Sequence, residues 1–266
     1  MRIALALALL PALIAPALAA SIDGEVAQGA LVTGVAAPGE RIVYDGRELH
    51  IAPDGRFVLG LGRDAAGTLT LDVTGPAGKT TLSRAISPRE WQIQRIDGLP
   101  DKKVNPDPEG MKRIEAERAK IKAARAIDRI AFDWEAGLQW PAKGGISGVY
   151  GSQRILNGEA RQPHLGLDVA VPEGTPIAAA APGQVTLAEP DLYFTGGTVI
   201  IDHGAGVQTL YAHLSRVDVR VGQKVQAGDT IALSGKTGRV TGAHLHFGLA
   251  WYGLQLDPAP LLPQQE

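Results

Sequence analysis

Histidine, aspartate and glycine crowd into the second half of this 266-residue chain. Five of its six histidines lie between positions 164 and 246. They fall in His164-Leu165-Gly166-Leu167-Asp168, Asp202-His203-Gly204, Tyr211-Ala212-His213-Leu214 and His244-Leu245-His246-Phe247. Imidazole is the commonest protein metal ligand and the side chain that changes charge nearest neutral pH. A catalytic zinc site needs three protein ligands of the His and Asp type and an open fourth position. Histidines left over can then move protons. The chain has no cysteine, which excludes thiolate nucleophiles, disulfides and zinc–thiolate sites together. A transition metal would have to be held by imidazole and carboxylate.

Spacing narrows the roles. Gly166, Val169, Val171 and Pro172 argue against a helix around His164 and Asp168. In a flat strand, residues four apart share a face but stand about 13 Å from each other. Bonds to zinc are only about 2 Å long, so the pair can share an ion only if the chain bends between them. Gly166 is the residue that permits the bend. His244 and His246 have strand spacing and point to one face, about 7 Å apart. One of them can bind a metal while the other faces a substrate, or both are unrelated surface residues. Asp202-His203-Gly204 is explained by turn chemistry alone, so His203 reads as architectural. Tyr211 either lines a groove or packs in a core. His50, alone in Leu49-His50-Ile51, reads as a half-buried strand residue outside any site.

The elements that must position these residues are mostly strands. Residues 1–20 carry one positive charge, an apolar run and an Ala17-Leu18-Ala19 ending, the pattern of a cleaved signal peptide. The mature protein is therefore expected to be exported, periplasmic or secreted, with no stable membrane span after signal removal. Residues 21–96 give short strands such as Arg41–Tyr44, Arg56–Leu59 and Leu69–Val73, parted by Asp45-Gly46 and Asp54-Gly55 turns. They predict a small β-sandwich-like domain. Residues 97–136 form a linker and helix: a proline-rich stretch to 108, then Glu109–Arg129, rich in Ala, Glu, Lys and Arg. A Glu109–Arg113 pair and a thin stripe of Met111, Ile114, Ile121 and Ala124 suggest a solvated helix lying on one domain. Docking of a protein partner through this helix or the N-terminal domain is the alternative. Residues 137–266 are glycine-punctuated β again, including Val199–Ile201, Val217–Val221 and Thr230–Leu233. The fold class is thus mainly β, and the net charge of −2 excludes an electrostatic case for nucleic acid.

One family carries all these pieces in order. They are His164-x-x-x-Asp168, Gly174-Thr175-Pro176-Ile177, Gly183-Gln184-Val185, Ile201-Asp202-His203-Gly204, Tyr211-Ala212-His213-Leu214, Val221–Val225, Ala227-Gly228-Asp229, Thr237-Gly238-Arg239 and His244-Leu245-His246-Phe247. From about Gly148 to Leu262 the chain resembles the lysostaphin/LytM-type zinc metallopeptidases, which cut peptides in bacterial peptidoglycan. The resemblance implies an antiparallel β-sheet domain of the duplicated-hybrid-motif type with a substrate groove. It implies one Zn2+ per chain on His164, Asp168 and His246. His213 and His244 then correspond to the catalytic histidines that are not ligands, their division of labour left open.

The chain departs from the family at Ala243, where proline is usual, at Val240-Thr241-Gly242, and at Leu192–Gly197. These positions bear on substrate preference more than on metal binding. The implied activity is metal-dependent hydrolysis of peptide bonds in stem peptides or cross-links. One alternative is a non-catalytic regulator of other wall hydrolases, although such relatives generally lose ligands. A second is a lipoyl-type carrier domain with Lys236 as the modified residue, though Lys236 lacks the flanking methionines of that pattern.

Overall fold

The computed structural model describes residues 19–98 and 105–265. The signal-peptide segment falls outside the described residues except for Ala19 and Ala20. The protein is mainly β, with one α-helix among the described residues. None of the described helices is long and apolar enough to cross a membrane.

The N-terminal strands are β1 (Ser21–Asp23), β2 (Leu31–Val35), β3 (Arg41–Tyr44), β4 (Arg47–Glu48), β5 (Arg56–Gly60), β6 (Thr68–Gly75), β7 (Gly78–Ala85) and β8 (Ile93–Ile96). They form a β1-β2-β5 sheet and a β4-β3-β6-β7 sheet. Period-two patterning sets the faces: Leu69, Leu71 and Val73 of β6 are buried while Thr70 and Asp72 between them are exposed. Asp45 and Gly46 both take positive φ between β3 and β4, the backbone a two-residue hairpin turn demands. His50 lies just beyond β4 rather than in a strand, and its Nε2 meets Asp128 Oδ1 at 2.8 Å.

The helix α1 runs Pro108–Arg125, capped by the Asp107 side chain on the Gly110 N–H at 2.8 Å. It ends four residues before the sequence suggests. Arg129 is drawn instead to Asp202, and Asp128 to Tyr252 and His50. The expected Glu109–Arg113 pair is replaced by Arg113 bonding Glu117 and Asp191. Met111 is exposed, while Ile114 and Ala124 are buried.

The remaining strands are β9 (Gly145–Gly148), β10 (Gln153–Leu156), β11 (Glu159–Ala160), β12 (Leu167–Ala170), β13 (Pro176–Ala178), β14 (Gly183–Leu192), β15 (Gly196–Asp202), β16 (Val207–Val217), β17 (Lys224–Val225), β18 (Thr230–Ser234), β19 (Leu245–Trp251) and β20 (Leu254–Leu256). The spine of the main sheet is β17-β14-β15-β16-β19-β12-β9, antiparallel throughout. The run Val217–Val221 is not one strand: β16 stops at Val217, and Asp218 turns to pair with Arg216.

Both faces of β15 and β16 are buried, for different reasons. Val199, Ile201, Tyr211 and Phe247 face a core continuous with that of the N-terminal sheets. Ile200, Leu210 and Ala212 face the opposite way, under Ile121 and Ala124 of α1. That second face is covered by the helix over β14–β16 and left open farther along, over β19 and β12. A third small sheet, β11-β10-β8, joins the N-terminal segment to the C-terminal one through parallel pairing of β8 with β10.

Candidate functional site

Strand register brings the candidate side chains together on the open face. Asp168 of β12 pairs with His246 of β19, and His246 pairs with Ala212 of β16. Directly paired residues project to the same side with Cβ atoms about 5 Å apart. Asp168 is also paired with Gly148 of β9. One row across four strands therefore reads Gly, Asp, His, Ala. The small residues at its ends make room for the two functional ones: a Cβ on Gly148 would lie 2.5 Å from Asp168 Oδ2. The alternate residues Leu167, Leu245 and Phe247 point into the core.

His164 joins this row from a loop. A bend at Gly166 brings its Nε2 to 3.0 Å from Asp168 Oδ1. The glycine is needed for space, not for a left-handed backbone. A Cβ there would lie 2.5 Å from His246 Cε1 and 2.7 Å from its Nε2, and the φ at Gly166 is not positive. The loop before β10 clamps His164. Its N–H donates to the Ser152 carbonyl at 2.8 Å, and Nδ1 meets the Val149 carbonyl at 3.1 Å.

Three donor atoms thus converge: His164 Nε2, Asp168 Oδ1 and His246 Nδ1, at mutual distances of 3.0, 2.8 and 3.0 Å. This group could hold a metal ion. A carbonyl oxygen only accepts, so the His164 Nδ1 facing Val149 carries the proton and Nε2 carries the lone pair. Two lone pairs and a carboxylate oxygen held this close repel unless a proton or cation lies among them, and bonds of about 2 Å from three such donors meet at one point. The donor set fits zinc. Burial lowers the pKa of His164, keeping the ring neutral below its ordinary range. Burial pushes the Asp168 carboxyl up, but hydrogen bonds and charge from His164 and His246 outweigh it and hold it ionised far below the usual carboxylate range.

His213 and His244 stand over the open side of this triangle, their rings 4.8 Å apart, centroid to centroid. His213 sits in a bulge where β15 and β16 slip register between Gly197 and Val199. Its φ is +64°, a conformation that costs a non-glycine residue of order 1 kcal/mol or more. The bulge takes His213 out of strand alternation. Its N–H donates to the Thr195 carbonyl at 2.7 Å and Nδ1 donates to the Thr237 carbonyl at 2.9 Å. Thr237 is itself held by the Gly197 N–H and the Leu214 carbonyl. Burial, then repulsion from His246 and His244, lowers the His213 pKa to about 3, so the ring is neutral with Nε2 available. His244 Nδ1 likewise donates to the Gly242 carbonyl at 2.9 Å, and its Nε2 stands 3.8 Å from Asp168 Oδ1. His164, the last of the five, lies beneath these rings; Asp168, His213, His244 and His246 line a cleft of about 270 Å³.

The other candidates separate cleanly. His203 is fully buried, bonded through Nδ1 to the Pro182 carbonyl and through Nε2 to the Thr209 hydroxyl. Tyr211 does not line the groove: it is fully buried and its hydroxyl accepts from the Ala180 N–H at 2.8 Å. Lys236 is exposed and pairs with Glu173 at 3.4 Å. Spacing alone missed Arg154, Arg239, Gln94 and Ile96, which also line the cleft. Arg239 had a signal, since it closes the Thr237-Gly238-Arg239 motif.

A family model described as peptidase family M23 matches residues 162–258, the stretch that contains the donor triangle and both free histidines. A crystal structure of a peptidase M23 from Pseudomonas aeruginosa superposes with a TM-score of 0.71 at 30% identity, covering 89% of this chain and 94% of that one. The chain belongs to peptidase family M23. This M23 chain is also 48% identical over 87 residues to the peptidoglycan DD-endopeptidase ShyA of Vibrio cholerae, over 33% of its own length and 20% of ShyA. It is 30% identical over 148 residues to the cell division protein DipM of Caulobacter vibrioides, over 53% of its length and 24% of DipM. The aligned part thus spans about a quarter or less of these two curated relatives.

Proposed function

We propose that the chain is a zinc-dependent endopeptidase hydrolysing peptide bonds in bacterial peptidoglycan stem peptides or cross-links. The observation that carries this reading is the complete donor triangle with the His213 and His244 rings over its open side. The similarity to a peptidoglycan DD-endopeptidase supports the substrate class. Such a substrate lies outside the cytoplasm, in keeping with an exported protein. Residues 137–266 supply every side chain assigned a chemical step.

His164, Asp168 and His246 would hold the ion, which when bound supplies Lewis acidity to a water and to the scissile carbonyl. His213 and His244 each present Nε2 toward that position, their Nδ1 protons fixed on the Thr237 and Gly242 carbonyls. A neutral imidazole so anchored can accept the proton of the attacking water. The resulting imidazolium can stabilise the developing oxyanion or return the proton to the leaving amine. Core packing beneath Phe247 and Tyr211 keeps the strands, and hence the imidazoles, from shifting. The intact donor set weighs against a purely regulatory role and against a carrier domain.

The test is metal analysis of purified protein together with digestion of sacculi, with and without a chelator. About one zinc per chain and chelator-sensitive release of muropeptides are expected. A protein that takes up no metal and releases nothing sinks the reading.

A further inference from the structure

The cleft contains more positive charge than peptide hydrolysis uses. Arg154 of β10 and Arg239, in the loop between β18 and β19, both line it. Among the described lining residues the single acid is Asp168, and its Oδ1 is already engaged by both histidine donors. Arg154 Nη2 stands 3.6 Å from Asp168 Oδ2, the carboxylate oxygen outside the donor triangle. The Arg239 guanidinium lies over the Phe194 ring at 4.5 Å. Burial, then the charges of Arg154 and Arg161, brings the Arg239 pKa down to about 10. Both arginines thus stand on the wall of the cleft that holds the donor triangle.

Placing guanidinium groups in a half-enclosed cleft costs desolvation and mutual repulsion. A planar guanidinium on the wall of such a cleft can meet an arriving carboxylate in two parallel hydrogen bonds. Arg154 is also held in place from outside the C-terminal segment. Its Nε donates to Gln94 Oε1 at 3.4 Å, and Gln94 is its register partner in the parallel pairing of β8 with β10. Ile96 of the same strand extends the wall.

We propose that Arg154 and Arg239 form a subsite for a free carboxylate of the substrate, within a residue or two of the scissile bond. Gln94 serves as the positioning residue for Arg154. The enzyme then selects anionic peptides, and the N-terminal segment shapes that choice by lending β8 to the cleft. This rests on the endopeptidase reading for the identity of the ligand, but binding tests it without turnover.

The experiment is calorimetric titration of the whole zinc-loaded chain carrying His213→Ala, which slows hydrolysis. The probes are a cross-linked muropeptide with free carboxylates, the same compound amidated at its side-chain carboxylates, and the same compound amidated at its C-termini. One amidation is expected to weaken binding about tenfold or more, the scale of a charge-assisted pair, and to say which carboxylate is read. Arg154→Gln and Arg239→Gln should each reduce the free-acid affinity toward that of the amide. Gln94→Ala should reduce the same acid-to-amide ratio without weakening the amide, whereas a structural lesion weakens both. Equal binding of all three probes overturns the proposal, as does an undiminished ratio in both arginine variants. A protein that prefers the free acid yet never cleaves it, with His213 restored, keeps the subsite and fails the endopeptidase reading.

Discussion

The two ends of the β15–β16 hairpin treat histidine in opposite ways. His203, at the turn, and His213, at the far end of β16, are both buried, and burial lowers both, to about 4 and about 3. Their partners differ. Both ring nitrogens of His203 are bonded to protein groups, Pro182 and Thr209, and Thr209 in turn bonds the Tyr211 hydroxyl. His213 has its Nδ1 bonded to Thr237, and the ring leans toward His244 and His246 over the cleft. Burial and a lowered pKa therefore do not mark a reactive histidine. A ring nitrogen with its lone pair directed at open space does.

The contrast predicts a graded set of losses. The largest follows removal of a donor. His246→Ala should take both zinc content and sacculus hydrolysis to background, and zinc retention in this variant would break the assignment. His213→Ala should leave zinc bound while lowering the rate by about 10²–10⁴-fold, the usual contribution of a positioned proton-transfer group. If zinc were lost along with the rate, His213 would belong with the ligands instead. Gly166→Ala touches neither chemistry nor charge, yet its Cβ would collide with the His246 ring. It should weaken zinc about 10–100-fold, as changes that misorient a ligand do, with little effect on turnover of the fully loaded protein.

The pairing of ligand candidates was legible in the residues, whereas His213 in Tyr211-Ala212-His213-Leu214 reads on its own as a buried structural histidine and only the family resemblance implies its catalytic role. His164-x-x-x-Asp168 with a glycine between, and His-x-His at strand spacing, are short-range patterns, and strand register turns them directly into neighbours across β12 and β19. What stayed hidden depends on distant partners. Gln94 and Arg154 meet across 60 positions by parallel pairing, which no local periodicity announces. The early end of α1 escaped because Ala126–Arg129 is acceptable as helix until Asp202, His50 and Tyr252 compete for Arg129 and Asp128. Tyr211 was undecided because a tyrosine one residue from a bulge can face either way. The role of Gly166 was half visible: a bend was foreseeable, the proximity of His246 was not.

His203 tests the other side of the contrast, with the smallest effect on turnover. Its folded pKa of about 4 lies below the ordinary value of 6.5. Between those values the unfolded chain binds a proton that the folded chain refuses, so stability falls as pH drops from about 6.5 through 4 and levels off below. At about 1.4 kcal/mol per pKa unit the loss approaches about 3 kcal/mol. Glutamine cannot titrate. His203→Gln should be less stable than the parent at pH 7.5, where a buried bond is lost at about 1–3 kcal/mol, and that deficit should shrink by about 3 kcal/mol at pH 4. Urea unfolding of both chains in chelator reads this difference, because His164, His213 and the carboxylates titrate alike in the two and cancel. A deficit independent of pH would mean that the ring at the closed end can take a proton, and the distinction between the two ends would then rest on access to the cleft alone.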